Sequence, residues 1–338
     1  MALLSVSSPH QRSGQQTPKL MRQVIYATLP ALLALSVCFG LGYLLNSLWC
    51  MLLAIVFEAV CLKLRGKAVL FFLKDGSAAV TGLLLGLSLS PLAPWWLPVI
   101  GLFFAIVIAK HLYGGLGQNP FNPAMVAYAL LLVSFPVEMT RWPQQLIDLS
   151  SWWSFFTGNP LQIDQLTGAT VLDTLRQQSQ YQGITQPSFL ADGHLSASSA
   201  LVNLSFGLGG LYLLRQKVIQ YAIPVSMLAS LSLMSLLFYC VDSQHFASPI
   251  LHLLSGATMM AAFFIATDPV SAATTPLGRL IYGAGIGLLI YIVRTWGGYP
   301  DAVAFAVLLM NLAAPMLDHL CQPRTFGHQP IKWTKKQP

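Results

Sequence analysis

The sequence predicts an all-α, polytopic integral membrane protein, with about ten transmembrane helices in two inverted five-helix repeats and a soluble insert between helices 5 and 6. Three observations carry this expectation. First, 55% of the 338 residues are hydrophobic and 9% are charged, whereas roughly a quarter of a water-soluble domain is charged; mean hydropathy is +0.64. Second, apolar runs near the roughly 20 residues needed for a span recur along the chain. Third, Lys and Arg fall on alternate connections, as cytoplasmic loops require.

The elements follow in order. Residues 1–20 are polar and rich in Gln and Ser. They lack the short apolar core and small-residue cleavage site of a removable signal peptide, so they are expected to be a cytoplasmic tail. Residues 21–137 make the first membrane repeat, with spans at about 24–44, 47–62, 77–90, 95–112 and 121–137. Residues 138–198 make the insert, which carries Asp148, Asp164, Asp173 and Asp192 against Arg141 and Arg176. Within it Trp152, Trp153, Phe155 and Phe156 have the look of an interfacial aromatic anchor, and Val171 to Gln178 reads as a short helix. Residues 199–320 make the second repeat, with spans at about 199–214, 219–240, 248–267, 277–293 and 299–319, and residues 321–338 are a second cytoplasmic tail.

With the N-terminus inside, 15 of the 18 basic residues are cytoplasmic and only Arg141, Arg176 and Arg294 lie outside. Both termini are therefore expected in the cytoplasm and the insert on the outer face. The same asymmetry accounts for the net charge of +7, and no basic stripe with interleaved aromatics points to nucleic acid. Cys38, Cys50, Cys61, Cys240 and Cys321 are scattered without a CxxC pair, and the seven His, among them His111, His245, His252 and His319, do not cluster in sequence. No metal or iron–sulfur site is expected within this chain.

The repeat is visible in two motifs. Lys110 precedes Tyr113, Gly114, Gly115 and Pro120, while Arg294 precedes Trp296, Gly297, Gly298 and Pro300; the glycine pairs are 183 residues apart. Five spans per repeat is an odd number, so the halves have opposite orientation. Proline-broken helices in inverted repeats are a feature of transporters, where unwound backbone lines a polar site.

Several polar residues carry two readings each. GQNPFNPAM, Gly117–Met125, places Asn119 and Asn122 around two prolines, either as a turn or as contacts for a ligand's carbonyl and amide edge. ATDPVSAATTP, Ala266–Pro276, offers Thr267, Asp268, Ser271, Thr274 and Thr275; Asp268 either caps the following segment or lines an ion path. Glu58 is the one acid well inside a span, where charge is expensive unless paired, solvated or neutral. Nearby Lys63 favours a snorkelling pair or a protonated Glu over an ion relay. Lys110 and Arg294 sit near span ends and read as snorkelling cations.

The stretch Asp164, Gln165, Leu166, Thr167, Gly168, Ala169 and Thr170 lies in the insert rather than in a span. Gly168 permits a tight turn and close approach of a bulky group, and a threonine hydroxyl can accept a phosphoester. On residues alone it is one polar turn among many. Ser255, Gly256, Ala257 and Thr258 provide a comparison, since His252 stands there in place of the Asp and the segment lies in the eighth span. Thr258 therefore reads as small-residue helix packing.

Asp, any, any, Ser/Thr, Gly, Ala, Ser/Thr resembles the attachment motif of bacterial respiratory flavoproteins, in which FMN is joined through its phosphate to the last Ser/Thr. That resemblance makes Thr170 the acceptor. GQNPFNPAM, ATDPVSAATTP and the closing span with Asn311 and Pro315 resemble the NqrB/RnfD family, and within it the RnfD component of the Rnf (Rsx) electron-transport complex. The likeness spans roughly residues 20–325 and extends more distantly to the NqrB component of the sodium-pumping NADH:quinone reductase. Val171 departs from the Pro found in many relatives.

The resemblance implies a translocase subunit of the bacterial inner membrane, not active alone, with the insert periplasmic. FMN on Thr170 would be one station among flavins and iron–sulfur centres linking ferredoxin and NAD, coupled to Na⁺ or H⁺ movement. Other subunits and a flavin-attaching enzyme are the implied partners. Ferredoxin and NAD are cytoplasmic while Thr170 is expected outside, so electrons would cross the membrane and return through cofactors on those partners. The distant relative also carries a non-covalent riboflavin, for which Asn119 and Asn122 would be contacts. Two rival readings are a stand-alone secondary transporter with a midplane substrate site, and a membrane scaffold without a flavin.

Overall fold

The computed structural model describes residues 17–143, 145–158, 167–168, 170, 172, 194–243, 245–299 and 302–322. In the first half, α1 (Thr17–Phe39) and α2 (Gly42–Leu64) are followed by the short α3 (Val69–Leu73), α4 (Ser77–Ser88), and α5 (Trp96–Leu102), which continues as a π-helical stretch, Phe103–Leu112. Then come α6 (Pro123–Ser134) and α7 (Pro136–Met139). The insert contributes strand β1 (Trp142–Pro143), α8 (Leu149–Phe156) and strand β2 (Thr167–Gly168). The second half holds α9 (His194–Arg215), α10 (Ala222–Val241) and α11 (Pro249–Leu254). It ends with α12 (Thr258–Met260), a π-helical stretch Ala261–Ile265, α13 (Pro276–Trp296) and α14 (Val303–Leu320).

Six of these helices, α1, α2, α9, α10, α13 and α14, contain apolar segments of 18 residues or more, enough to cross a membrane. Their outer faces are apolar: Leu33, Val37, Leu208, Leu233 and Leu312 are exposed, while Glu58, Lys110, Asn203, Arg294 and Asn311 are buried. That inversion of the water-soluble pattern is what a hydrocarbon surround selects. The chain is a multi-pass membrane protein.

Three expected spans are not full-length continuous helices; the one expected over 77–90 is the 12-residue α4. The one expected over 121–137 is the 12-residue α6, which rises only about 18 Å at 1.5 Å per residue, far short of the roughly 30 Å core. Pro123 starts it, and Phe135–Pro136 ends it, because a residue before proline is pushed out of the helical region. The span expected over 248–267 breaks between α11 and α12, where Gly256 takes a left-handed φ of 61° that a side chain would disfavour. At this break the Thr258 hydroxyl donates to the carbonyls of His252 (2.8 Å) and Ser255 (3.0 Å). The second Ser-Gly-Ala-Thr is thus a structural plug, with Thr258 at 0% exposure.

Within each half, one helix pair packs through glycines. A Cβ on Gly82 of α4 would lie 2.5 Å from the Cys50 carbonyl oxygen of α2, and one on Gly86 would lie 2.8 Å from Ser47 Cα. Gly283 of α13 meets α10 in the same way, with a Cβ position 2.6 Å from the Ile223 oxygen. Close approach through small residues is the main source of helix affinity where lipid is as apolar as the side chains. Across the halves, α1 packs on α9 and α6 on α14.

The insert is not purely helical. Its two strands pair antiparallel, with Trp142 opposite Gly168 and Pro143 opposite Thr167. α8 is half anchor and half core: Trp153 is 58% exposed, while Trp152 and Phe155 are buried against Leu92 and Ile147. Replacing Gly82 by leucine is expected to force α2 and α4 apart, at a cost of about 3 kcal/mol from overpacking. A fall in the detergent-solubilised melting temperature, with Gly207→Leu as a control at a helical position whose surroundings are open, is the measurement.

Candidate functional site

Each break in a helix frees backbone donors and acceptors that hydrocarbon cannot satisfy, and an Asn or Asp meets several of the described breaks. Asn46 of α2 donates to the Ser90 and Pro91 carbonyls (both 3.2 Å) and accepts from Trp152 Nε1 (3.3 Å), tying α8 to the α4–α5 connection. Asn203 of α9 donates to the carbonyls of Leu254 (3.1 Å) and Gly256 (3.0 Å) and accepts from the Met259 N–H (3.2 Å). Asp318 of α14 accepts from the Thr274 and Thr275 N–H groups (2.8 and 2.9 Å) at the start of α13.

The two sequence motifs meet at the centre. Asn122 caps α6, accepting from the Ala124 N–H at 3.0 Å, and its amide nitrogen donates to the Ile265 carbonyl at 3.3 Å. Asn311 of α14 completes the junction: in the orientation that satisfies both ends of its amide, its oxygen accepts from the Asn122 N–H (3.0 Å) and its nitrogen donates to the Ser271 carbonyl (3.3 Å). Tyr282 Oη lies 2.6 Å from the same amide.

A cavity lies on either side of this junction. The one on the insert side has a volume of about 210 Å³ and is walled by Phe39, Tyr43, Tyr128, Trp142 and Phe206, with Thr170 and Ile265 among its lining. The one on the side of the chain ends is about 130 Å³ and is lined by Ser77, Lys110, Asn119, Asn122 and Asp268. Ile265 belongs to one wall and Asn122 to the other, so the cavities are separated where those two residues bond. A π-helical stretch, often associated with functional positions, ends at that point.

Of the expected site residues, Thr170 is half-buried in the wall of the insert-side cavity, placed there two residues beyond the β1–β2 ladder. Asp164 and Ala169 of the attachment motif lie outside the described residues, as does nearly all of Val171–Gln178. Asn119 and Asn122 do come together in the opposite cavity, and Asn119 Oδ1 is buried without a hydrogen-bond partner there. Asp268 caps the turn that follows it, bonded by the backbone of Val270 and Ser271, while the cap of α13 is Thr275, whose hydroxyl accepts from the Gly278 N–H. Asp268 also accepts from the Ser271 hydroxyl at 2.6 Å and lines the cavity.

The charged residues differ most from their sequence reading. Glu58 pairs not with Lys63 but with Lys110, whose Nζ lies 2.9 Å from Oε2. Neither Lys110 nor Arg294 snorkels: they are 2% and 5% exposed, and Arg294 Nη1 donates to the His252 carbonyl at 3.0 Å. Lys110 and Glu58 stand 52 positions apart, beyond any local spacing rule. Sequence reasoning also passes over Asn46 and Asn203, though an amide inside an apolar run is itself a signal where proline breaks occur elsewhere.

Halves joined at broken helices, with a cavity on either side of the junction, make a multi-pass membrane protein of internal polar contacts and apolar outer faces. The chain matches the NQR2, RnfD, RnfE family over residues 4–327 and belongs to it. It is 52% identical over 336 residues to a subunit of the ion-translocating oxidoreductase complex of Alcanivorax borkumensis, covering 97% of this chain and 98% of that one. The subunit of the same description from Pseudomonas aeruginosa is 51% identical over 337 residues, covering 97% of each chain.

Removing the Asn122 side chain is expected to cost about 2 kcal/mol, from the lost cap and the lost bond to the Ile265 carbonyl. Asn122→Ser, which keeps a cap acceptor, should recover about half of that; thermal unfolding of both variants in detergent is the check.

Proposed function

We propose that this chain is the membrane subunit of a complex that couples electron transfer between ferredoxin and NAD to ion translocation, and that it carries FMN through a phosphoester on Thr170. The relatives' description as subunits of an ion-translocating oxidoreductase complex supports the general role. The observation that carries the specific one is the position of Thr170 in the wall of an aromatic-lined cavity between the two halves.

The residues present fit a flavin. Phe39, Tyr43, Tyr128, Trp142 and Phe206 offer flat apolar faces, and Ser88, Thr140 and Asn203 supply a few polar groups, the balance usual in small-molecule sites. Bound FMN supplies one- and two-electron transfer. The Thr170 oxygen would carry the phosphate, the β1–β2 ladder holds that residue beside the cavity, and the aromatic wall excludes water. A covalent tether keeps the local concentration high on a face from which a weakly held cofactor would be lost.

The topology behind this reading has ten spans in two inverted repeats, both termini in the cytoplasm and the insert in the periplasm of a bacterial inner membrane. The segregation of 15 of the 18 basic residues to one side supports it. Further subunits carrying flavin and iron–sulfur centres, and a flavin-attaching enzyme, are the partners. The opposed cavities favour a route for Na⁺ or H⁺ between the repeats, past Asn122 and Ile265. The buried, unpartnered Asn119 Oδ1 favours a second, non-covalent flavin such as riboflavin in the opposite cavity, with Asn119 and Asn122 as its contacts.

A denaturing gel viewed under ultraviolet light is expected to show a fluorescent band at the mass of this chain when it is made with its attaching enzyme. Thr170→Ala should abolish the band and Thr258→Ala should keep it; a fluorescent Thr170→Ala chain refutes the assignment. In the same preparations, flavin released on denaturation should fall several-fold in Asn119→Leu while the covalent band persists. Unchanged release removes the second flavin from that cavity.

A further inference from the structure

The buried cluster around Glu58 has a composition that the flavin chemistry does not use. Lys110 Nζ donates to Glu58 Oε2 at 2.9 Å and to Ser77 Oγ at 2.8 Å. The Ser77 hydroxyl proton is committed to Asp75 Oδ1, also at 2.8 Å, so toward Lys110 this oxygen presents only a lone pair. Both groups facing the ammonium are therefore pure acceptors. They are buried, with Glu58 4% and Ser77 5% exposed, and Ser77 and Lys110 also line the cavity between the halves.

The surrounding titratable groups leave Lys110 as the counter-charge. His111 Nε2 stands 3.0 Å from Glu58 Oε2. Its Nδ1 lies 3.2 Å from Arg65 Nη1; a guanidinium only donates, so Nδ1 accepts and the ring is the neutral Nε2–H tautomer. Arg65 is exposed and directed to the carbonyls of His111 and Gly114. Asp268 faces the same cavity from the other half. Glu58 is thus balanced one to one by Lys110, through oxygens at distances that a bare monovalent cation of similar radius also adopts.

We propose that Glu58 and Ser77 form a monovalent-cation site whose resident cation is the chain's own Lys110 ammonium. Lys110 reaches it from the π-helical stretch after α5, whose extra residue per turn lets Lys110 and His111 both face inward. A mobile cation enters only when the ammonium withdraws, and the exchange conserves charge because one positive charge replaces another. Removing the ammonium leaves a buried carboxylate uncompensated, a strongly unfavourable state, so the emptied site should take up an alkali cation together with cavity water.

The test uses the full chain purified with the subunits it is expressed with, at one fixed alkaline pH. Melting of this chain is followed in sodium, potassium, lithium or choline chloride, each at about 0.2 M, choline being too large to enter. Wild type is expected to melt at the same temperature in all four. Lys110→Ala should melt lower in choline and recover by about 4 °C in at least one alkali chloride, and Lys110→Ala with Glu58→Gln should lose the response. A Lys110→Ala chain indifferent to the salt overturns the proposal, as does an equal response in the double variant. If Lys110→Ala does not survive purification in choline, survival in an alkali chloride is the expected result, and loss in every salt overturns it.

Discussion

A peptide group set free in hydrocarbon has no water to bond, and this fold is organised around the places where that problem is solved. The helices break at Ser90–Pro91, at Asn122–Pro123, at Ser255–Ala257 and before Pro276. A side chain from another element meets each break: Asn46, Asn311, Asn203 and Asp318 in turn. An unsatisfied buried group costs roughly 1–3 kcal/mol, so these contacts determine which breaks the fold tolerates. The Asn122–Ile265 and Asn311–Asn122 bonds differ from the others, because they are made between the two halves and not within one.

Broken helices also create the space that function needs. Continuous helices from both halves would pack along their whole length, but α6 and the α11–α12 segment each stop short, leaving a cavity on either side of their meeting point. The insert closes over one cavity with Trp142 and Thr170, and the charged groups Lys110 and Asp268 lie against the other. An apolar, aromatic site suited to a planar cofactor and a polar site suited to charge therefore share one wall. In the proposed function, that shared wall sets the covalent flavin beside the cavity that holds the ionisable groups.

Much of the fold is legible in the sequence because long apolar runs have one reading. The helices α1, α2, α9, α10, α13 and α14 follow from length and hydropathy alone. The half-length elements are less legible: a run such as Phe121–Val137 is apolar almost throughout, and proline at its first turn reads as an ordinary helix start. Glu58 reads as a partner of Lys63 because spacing reveals only local neighbours, whereas its actual partner Lys110 arrives by tertiary packing. Asp268 reads as a cap and does cap the turn that follows it, whereas the start of α13 is met by local Thr275 and distant Asp318. Thr170 stands out through resemblance to an attachment motif, while the cavity beside it, assembled from both halves and the insert, has no local signature.

The proposed phosphoester between FMN and Thr170 is open to peptide mass mapping of the chain purified from cells that hold its attaching enzyme. The peptide containing Thr170 is expected to be heavier by one FMN less one water, with the fragment series placing the added mass on Thr170, and the peptide containing Thr258 is expected to be unmodified. An unmodified Thr170, or the same added mass on any other residue, would contradict it.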